Sequence, residues 1–250
     1  MRPILQFIRR RLWALPLAFA GLAAVGFTGR AAPTANVAPS VSALTVVELF
    51  TSQGCSSCPP ADALLGELAK RGDILPLAFH IDYWDRLGWK DPFSLAEATT
   101  RQRAYARTLG KSNVYTPQML INGARDVVGS NRTAVTNAIA SAVPAIVPVA
   151  LTAGKGDLAI RVGSGMGEGK LWLVTFDPRH ETQVRAGENA GRKLVNVNIV
   201  RSLETLGDWR GQELTLSHAL PPSGRGAALL LQGPSGRILG AAAIRLPAAS

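Results

Sequence analysis

The chain has 250 residues, of which 47% are hydrophobic and 18% are charged. This balance excludes a disordered protein and allows one large domain or two small ones. The formal net charge is +10, but residues 1–30 contain five arginines and no acidic residue. The other basic residues are scattered rather than gathered with aromatic side chains into a stripe, so we expect no nucleic-acid partner.

The first 32 residues have the layout of an export signal. Arg2 and Arg9–Arg11 precede an apolar run from Leu12 to Phe27. This run is long for a signal peptide and short for a membrane-spanning helix, so residues 1–32 are expected to be a signal peptide or an N-terminal anchor. Residues 33–43 are expected to form a flexible tether. The prediction is a periplasmic or secreted protein, or one anchored in the inner membrane.

The only two cysteines of the chain, Cys55 and Cys58, lie between a predicted strand and a predicted helix. The apolar run 45–50 predicts a buried strand, and apolar residues at helical spacing over 61–68 predict the helix. Free N–H groups and the helix dipole at such an N-terminus favour a thiolate, which makes Cys55 the candidate nucleophile. Cys58 is placed to resolve a mixed disulfide formed at Cys55.

A structural disulfide and a metal site are the alternatives for this pair. Closing a loop of about 4 residues stabilises a fold by roughly 2 kcal/mol, against about 5 kcal/mol for a loop of about 100 residues. Structural zinc usually takes two such pairs, whereas this chain has one pair and three histidines. Redox chemistry without a cofactor is therefore the favoured interpretation.

A second strand is predicted over 74–82, and the order strand, helix, strand predicts a parallel pair. Ligand sites lie beyond the carboxyl ends of such strands, so Tyr83 and Trp84 are expected near Cys55 as substrate contacts. The aromatic loop that continues to residue 93 either forms a lip for a ligand or caps the core.

A helix, a hairpin and a last helix are predicted to follow. The helix covers 94–109, and its arginines are expected on a solvated face: Arg101, Arg103 and Arg107. The later elements are a strand opened by Pro117, a turn at Asn122 and Gly123, a strand at 126–128 and a helix over 133–143.

The CxxC motif after a strand, with Thr116 and Pro117 later opening a hairpin, resembles the thioredoxin and glutaredoxin fold. In that superfamily the proline is cis and faces the cysteines, so the resemblance implies a cis Pro117 and a substrate contact at Thr116. More narrowly, three segments are similar to the secreted bacterial domain-of-unknown-function 1223 family: residues 47–62, 80–85 and 115–118. That family implies a thioredoxin-like fold with an appended β domain, and it carries no established activity.

Two features depart from the usual thioredoxin pattern. Ser56 and Ser57 replace the usual Gly-Pro between the cysteines, which leaves the redox potential open. Glu48 lies seven positions before Cys55, whereas the buried thioredoxin acid lies six before. A longer turn would still bring Glu48 under the cysteines as a proton acceptor; the alternative is a carboxylate paired with a neighbouring side chain.

Beyond residue 145, short strand-like runs alternate with glycine-rich turns, which predicts a small antiparallel β-sandwich-like domain. The predicted strands are 149–152, 157–162, 170–176, 194–200, 213–217, 227–232 and 238–244. The expected fold is α/β, with a thioredoxin-like domain over 44–145 and the β domain over 146–250. The former is a mixed sheet flanked by helices, with a helical and aromatic insertion. A polar loop at 185–192 is expected to bind a partner or to pack on the first domain.

The sequence thus predicts an exported thiol-disulfide oxidoreductase that acts on protein or small-molecule thiols and disulfides of the cell envelope. Its candidate catalytic residues are Cys55, Cys58, Pro117 and Glu48, and its candidate substrate contacts are Thr116, Tyr83 and Trp84. One alternative is a copper metallochaperone that holds Cu(I) with the cysteine pair and His80, because soft thiolates select that ion. The other is a non-catalytic envelope binding protein whose β domain carries the function.

Overall fold

The computed structural model describes residues 44–247. The expected signal or anchor, 1–32, and the expected tether, 33–43, lie outside the described residues. Within the described part of the chain, no helix is both long and apolar enough to cross a membrane.

The chain first forms strand β1 (Thr45–Thr51), helix α1 (Pro59–Leu68) and strand β2 (Ile74–His80). β1 and β2 are parallel, with Thr45 opposite Ile74, which confirms the predicted strand–helix–strand unit. Both strands are almost fully buried, as expected for apolar runs covered on both faces.

The next elements also match the predicted order: α2 (Ala96–Thr108), β3 (Gln118–Ile121), β4 (Arg125–Val128) and α3 (Arg132–Ala140). β3 runs antiparallel to both β1 and β4. Asn122 and Gly123 connect β3 to β4 with positive φ angles of 47° and 64°. The predicted hairpin turn is therefore confirmed, since both central residues of such a turn need positive φ.

All seven strands predicted after residue 145 are present: β5 (Val149–Ala153), β6 (Asp157–Val162), β7 (Gly169–Gln183), β8 (Lys193–Trp209), β9 (Leu214–Ala219), β10 (Gly226–Gln232) and β11 (Ile238–Arg245). β7 and β8 extend well beyond the predicted ends at residues 176 and 200. Their added segments are largely exposed and polar, so no apolar alternation marked them.

These strands do not form a separate sandwich as a group. β7, β8, β10 and β11 join the first four strands in one eight-stranded mixed sheet of order β11-β10-β7-β8-β2-β1-β3-β4. The junction is a parallel contact between β2 and β8, where Ala78 lies opposite Ile199. The sheet thus continues across the boundary expected at residues 145 and 146.

The other three strands, β5, β6 and β9, form a small antiparallel sheet. Its apolar side chains, among them Leu158 and Ile160, pack in one cluster with Leu171 and Leu229 of the large sheet. Two sheets therefore face each other at this end of the molecule, as sandwich-like packing requires.

Helices cover both faces of the large sheet around β1. α1 and α3 pack on one face, where Leu65 and Val135 share a core with Leu49 of β1. α2 packs on the other face, where Tyr105 shares a core with Phe50. Side chains alternate between faces along a strand, so neighbouring residues of β1 point toward different helices.

Candidate functional site

Cys55 and Cys58 form a disulfide at the N-terminus of α1, with their Cα atoms 5.4 Å apart. Cys55 is 4% exposed and Cys58 is fully buried. Ser56 and Ser57 between them are exposed to solvent. Cys55 is therefore the cysteine that a substrate reaches first.

The first turn of α1 offers few backbone donors to a sulfur atom. Pro59 and Pro60 occupy its first two positions and have no N–H. The next two N–H groups, of Ala61 and Asp62, donate to the carbonyl of Cys58 at 2.8 and 3.1 Å. Residues 59–62 therefore provide none of the free N–H groups that were expected there. The hydrogen-bond partners of Cys55 Sγ are side-chain hydroxyls instead.

Two hydroxyl groups lie at the sulfur of Cys55. Thr116 donates from Oγ1 to Cys55 Sγ at 3.3 Å, and the Ser57 hydroxyl lies 3.4 Å from the same atom. Trp84 donates from Nε1 to Thr116 Oγ1 at 2.8 Å. The peptide bond between Thr116 and Pro117 is cis, as the resemblance implied. The structure therefore brings Thr116, its neighbour Pro117 and Trp84 to the cysteine pair.

Tyr83 lies next to Trp84 and interacts both with α2 and with the Thr116 hydroxyl. Its hydroxyl donates to Gln102 Oε1 at 3.2 Å, and burial raises its pKa to about 12. The substrate-contact role predicted for Tyr83 stays a prediction.

The carboxylate of Glu48 also faces α2. Arg101 donates to it twice, at 2.5 and 3.0 Å, and the Tyr105 hydroxyl donates at 2.6 Å. Arg101 is 5% exposed, so its expected place on a solvated face is wrong, whereas Arg103 and Arg107 are exposed as expected. Burial would lower the pKa of Arg101, but the Glu48 charge outweighs it and raises that pKa. These contacts correspond to the alternative of a carboxylate paired with its neighbours.

A different acid, Asp62, lies buried one helical turn after Cys58. It is 7% exposed, and burial raises its pKa to about 6 although the charge of His80 opposes this shift. Sequence reasoning missed this residue. The available signal was an acidic residue inside the apolar stripe of α1, four positions after Cys58, which is one turn on the same face.

His80 and Asp91 form a fully buried pair beside Asp62. His80 Nδ1 lies 2.7 Å from Asp91 Oδ2. Burial opposes the charge on both, but their mutual attraction prevails, so the pKa of His80 is raised and that of Asp91 is lowered. Among the described residues, four buried side-chain atoms have no hydrogen-bond partner, and all but Trp172 Nε1 lie on three neighbouring residues here: Thr51 Oγ1, Asp62 Oδ1 and His80 Nε2.

The tip of the β7–β8 hairpin packs on the turn that carries the cysteines. Asn189, fully buried, donates from Nδ2 to the carbonyls of Gln53 and Cys55, both at 2.9 Å. The Glu188 carboxylate accepts the Ser56 N–H at 3.2 Å, and the Ser56 hydroxyl together with this N–H lowers the pKa of Glu188. Of the two roles expected for loop 185–192, packing against the first half of the chain is therefore confirmed.

Gln53 ties the same turn to the aromatic loop and to both hairpin strands. Its side chain donates to Thr182 and Asn196 at 2.9 and 3.0 Å, and it accepts from Trp89 Nε1 at 3.2 Å. Phe93, at the end of the aromatic loop, is buried, whereas Trp84 and Trp89 are half-buried beside the site. The aromatic loop therefore both caps the core and borders the cysteines.

The described residues also bear on the copper alternative. Within residues 44–247, no group of three or more His, Cys, Asp or Glu side chains is placed to hold a metal ion, which the copper alternative with His80 would need.

A cavity of about 640 Å³ lies between α2 and the large sheet, where Arg101, Tyr105 and Trp172 line it. Neither cysteine lines this cavity.

Comparisons with known proteins place the chain in a family. Residues 46–232 match the family described as protein of unknown function (DUF1223). A structural-genomics crystal structure of a protein from Agrobacterium tumefaciens is 32% identical, with a TM-score of 0.72 over 82% of this chain and 95% of that one. The HBP35 protein of Porphyromonas gingivalis is similar in fold, with 14% identity and a TM-score of 0.54 over 83% of this chain and 77% of that one. No curated protein matches in sequence. The chain belongs to the DUF1223 family.

Proposed function

We propose that this protein is a thiol-disulfide oxidoreductase with a thioredoxin-like fold, in which Cys55 and Cys58 alternate between disulfide and dithiol. The observation that carries the proposal is the disulfide at a helix N-terminus, with the hydroxyl of Thr116 on the sulfur of Cys55 and a cis Pro117 next to it. The strand order β2-β1-β3-β4, with β1 and β2 parallel and helices on both faces, supports the fold assignment.

Reduction of a substrate proceeds through two exchanges. The Cys55 thiolate attacks a substrate disulfide, so that a mixed disulfide forms and one substrate sulfur leaves as a thiolate. Cys58 then loses its proton and attacks Cys55 Sγ, which releases the second substrate sulfur. Two electrons pass from the dithiol to the substrate, and the same steps in reverse oxidise a substrate dithiol.

Asp62 is the proton acceptor that we propose for Cys58, in place of Glu48. A general base works best with a pKa near the working pH, and burial brings the pKa of Asp62 to about 6. Its backbone N–H bonds the Cys58 carbonyl, so the two residues occupy adjacent turns of one helix end. Glu48 is already satisfied by Arg101 and Tyr105 on the opposite face of the sheet.

The substrates that we propose are thiols and disulfides of the cell envelope. The support is the export-signal layout of residues 1–32, which implies a periplasmic, secreted or inner-membrane-anchored protein. Disulfide chemistry belongs to such oxidising compartments.

Mixed-disulfide trapping with Cys58→Ala tests this function. The variant should accumulate a covalent complex through Cys55 that dithiothreitol releases, while the matched control Cys55→Ser should accumulate none there. The reduced wild-type protein should also cleave the disulfides of insulin. The proposal would be contradicted if the reduced protein reacted with neither insulin nor oxidised glutathione.

A further inference from the structure

The acidity of the Cys55 thiol needs a source other than the backbone of α1. Pro59 and Pro60 supply no N–H, and the following two N–H groups are bonded to the Cys58 carbonyl. The Ser56 N–H is bonded to Glu188. The Cys58 N–H donates to the Cys55 carbonyl at 3.2 Å. The hydrogen-bond partners found at Cys55 Sγ among the described residues are two side-chain hydroxyls, those of Thr116 and Ser57.

The hydroxyl of Thr116 has a defined direction. A hydroxyl carries one hydrogen and two lone pairs, whereas the indole N–H of tryptophan can only donate. Trp84 Nε1 lies 2.8 Å from Thr116 Oγ1, so it uses a lone pair of that oxygen. The hydrogen of Thr116 can then point at Cys55 Sγ, 3.3 Å away. The Tyr83 hydroxyl is the other side-chain group that interacts with the Thr116 hydroxyl, and its own hydrogen is donated to Gln102.

We propose that Trp84 is a positioning residue: by donating to Thr116, it holds the Thr116 hydroxyl as a hydrogen-bond donor to Cys55 and so stabilises the Cys55 thiolate. This inference rests on the proposed function and adds a role that neither residue had as a substrate contact. The Cys55 thiol gives its proton to solvent, and the resulting thiolate accepts a hydrogen bond from the Thr116 hydroxyl, which keeps its proton. A bond to an ionised acceptor is about twice as strong as a neutral one, and a chain of such bonds polarises its members.

Ser57 is the weaker of the two donors in this arrangement. Its oxygen is 3.4 Å from Cys55 Sγ, and the residue is exposed, so water competes for its hydroxyl. The titratable groups around the turn come from three other places: Glu188 on the hairpin tip, Asp62 on α1, and the His80–Asp91 pair. Glu188 carries negative charge that opposes a thiolate, whereas the charges of Asp91 and His80 offset each other within their pair.

The chain offers a matched control in Trp89. This tryptophan is also half-buried beside the site, but its Nε1 donates to Gln53 Oε1 at 3.2 Å and not to Thr116. Replacing either tryptophan by phenylalanine removes one N–H donor and little volume.

The experiment titrates Cys55 in the reduced protein carrying Cys58→Ala, by thiolate absorbance near 240 nm against pH. Thr116→Val should raise the Cys55 pKa by about 1 unit, the size of one hydrogen bond to a charged group, and Thr116→Ser should largely restore it. Trp84→Phe should raise it by about half a unit, and Trp89→Phe should leave it unchanged. In the Thr116→Val background, Trp84→Phe should have no further effect.

Three results would overturn the inference: an unchanged pKa in Trp84→Phe, an equal shift in Trp89→Phe, or a shift in Trp84→Phe that persists when Thr116 is valine. A general loosening of the fold would move the pKa in both backgrounds, so the double variant separates positioning from damage. The readout needs no turnover. It therefore fails or succeeds separately from the insulin assay that tests the proposed function.

Discussion

Two buried carboxylates, Glu48 on β1 and Asp62 on α1, differ in their hydrogen-bond partners. The Glu48 carboxylate accepts three hydrogen bonds, two from Arg101 and one from Tyr105, and forms an ion pair with Arg101. Asp62 is buried beside His80, which is itself paired with Asp91, and Asp62 Oδ1 has no hydrogen-bond partner among the described residues. A desolvated acid such as Asp62, with its pKa raised to about 6, changes charge near neutral pH, which suits proton transfer.

The pKa of Asp62 predicts a pH-dependent stability difference. Because its pKa is about 6 in the folded chain against 3.8 when unperturbed, the protonated form favours folding. This stabilisation is complete below about pH 3.8 and is lost as the pH rises through 6, at a cost of about 3 kcal/mol. Asp62→Asn, neutral throughout, should therefore gain about that much relative to wild type between pH 4 and pH 8, as measured by urea unfolding of the oxidised proteins.

The comparison at two pH values controls for the loss of the carboxylate itself. The His80–Asp91 pair is retained in both proteins, and because Asp62 and His80 interact, the measured difference includes their coupling. A difference in unfolding free energy that stays constant from pH 4 to pH 8 would contradict the raised pKa.

The residues at the cysteines were largely predictable, but the acid was not. CxxC, Thr116 and Pro117 have sequence signals that fix their type and spacing. Whether Glu48 reaches the cysteines depends on which face of β1 its side chain occupies. Because β1 is buried on both faces, its sequence pattern does not show which face that is. Asp62 could have been found from its place in the apolar stripe of α1.

At the level of elements, the β7–β8 hairpin is the feature that assembles the site. Its strands are 15 and 17 residues long, and its tip reaches the CxxC turn. The elements themselves follow from local periodicity, and each predicted helix and strand of the described chain is present. The pairing of strands does not follow from local periodicity. Alternation of apolar and polar residues indicates which face of a strand is buried, but it does not indicate which strand lies next to it.

Asn189 at the hairpin tip should contribute measurably to stability. Asn189→Ala removes both hydrogen bonds to the carbonyls of Gln53 and Cys55 and leaves those buried groups without that donor. We expect a loss of about 1–3 kcal/mol in the unfolding free energy of the oxidised protein, measured in urea. Asn137→Ala on the exposed face of α3 is the matched control and should change stability by less than about 0.5 kcal/mol. Equal effects of the two substitutions would contradict the role of Asn189.

At the scale of the whole molecule, the two halves of the sequence share one core. Phe50 and Phe79 from the first half pack in one cluster with Phe176, Val200 and Leu230 from the second. Residues 44–247 also fall within one compact unit of the chain. The predicted boundary at residue 145 marks a change in secondary structure, from mixed helices and strands to strands alone.

A fragment of residues 44–145 should therefore fail to fold cooperatively. Without the second half, the β2 edge next to Ile199 is unpaired and the apolar face around Phe79 is open to water. We expect no sigmoidal urea transition by circular dichroism for the fragment, against a single transition for residues 44–247. A cooperative transition of the fragment would instead support an independent first domain.

The contact between the hairpin tip and the cysteine turn also constrains how this sequence can change over generations. Gln53 needs Thr182 and Asn196, and the carbonyl of Cys55 needs Asn189, although more than 120 residues separate the partners. A substitution on one side that breaks a contact should cost stability, as expected for Asn189→Ala, and a compensating substitution on the other side should recover it. Genetic exchange between two relatives within the intervening segment would separate matched partners, so we expect these positions to vary together in the family.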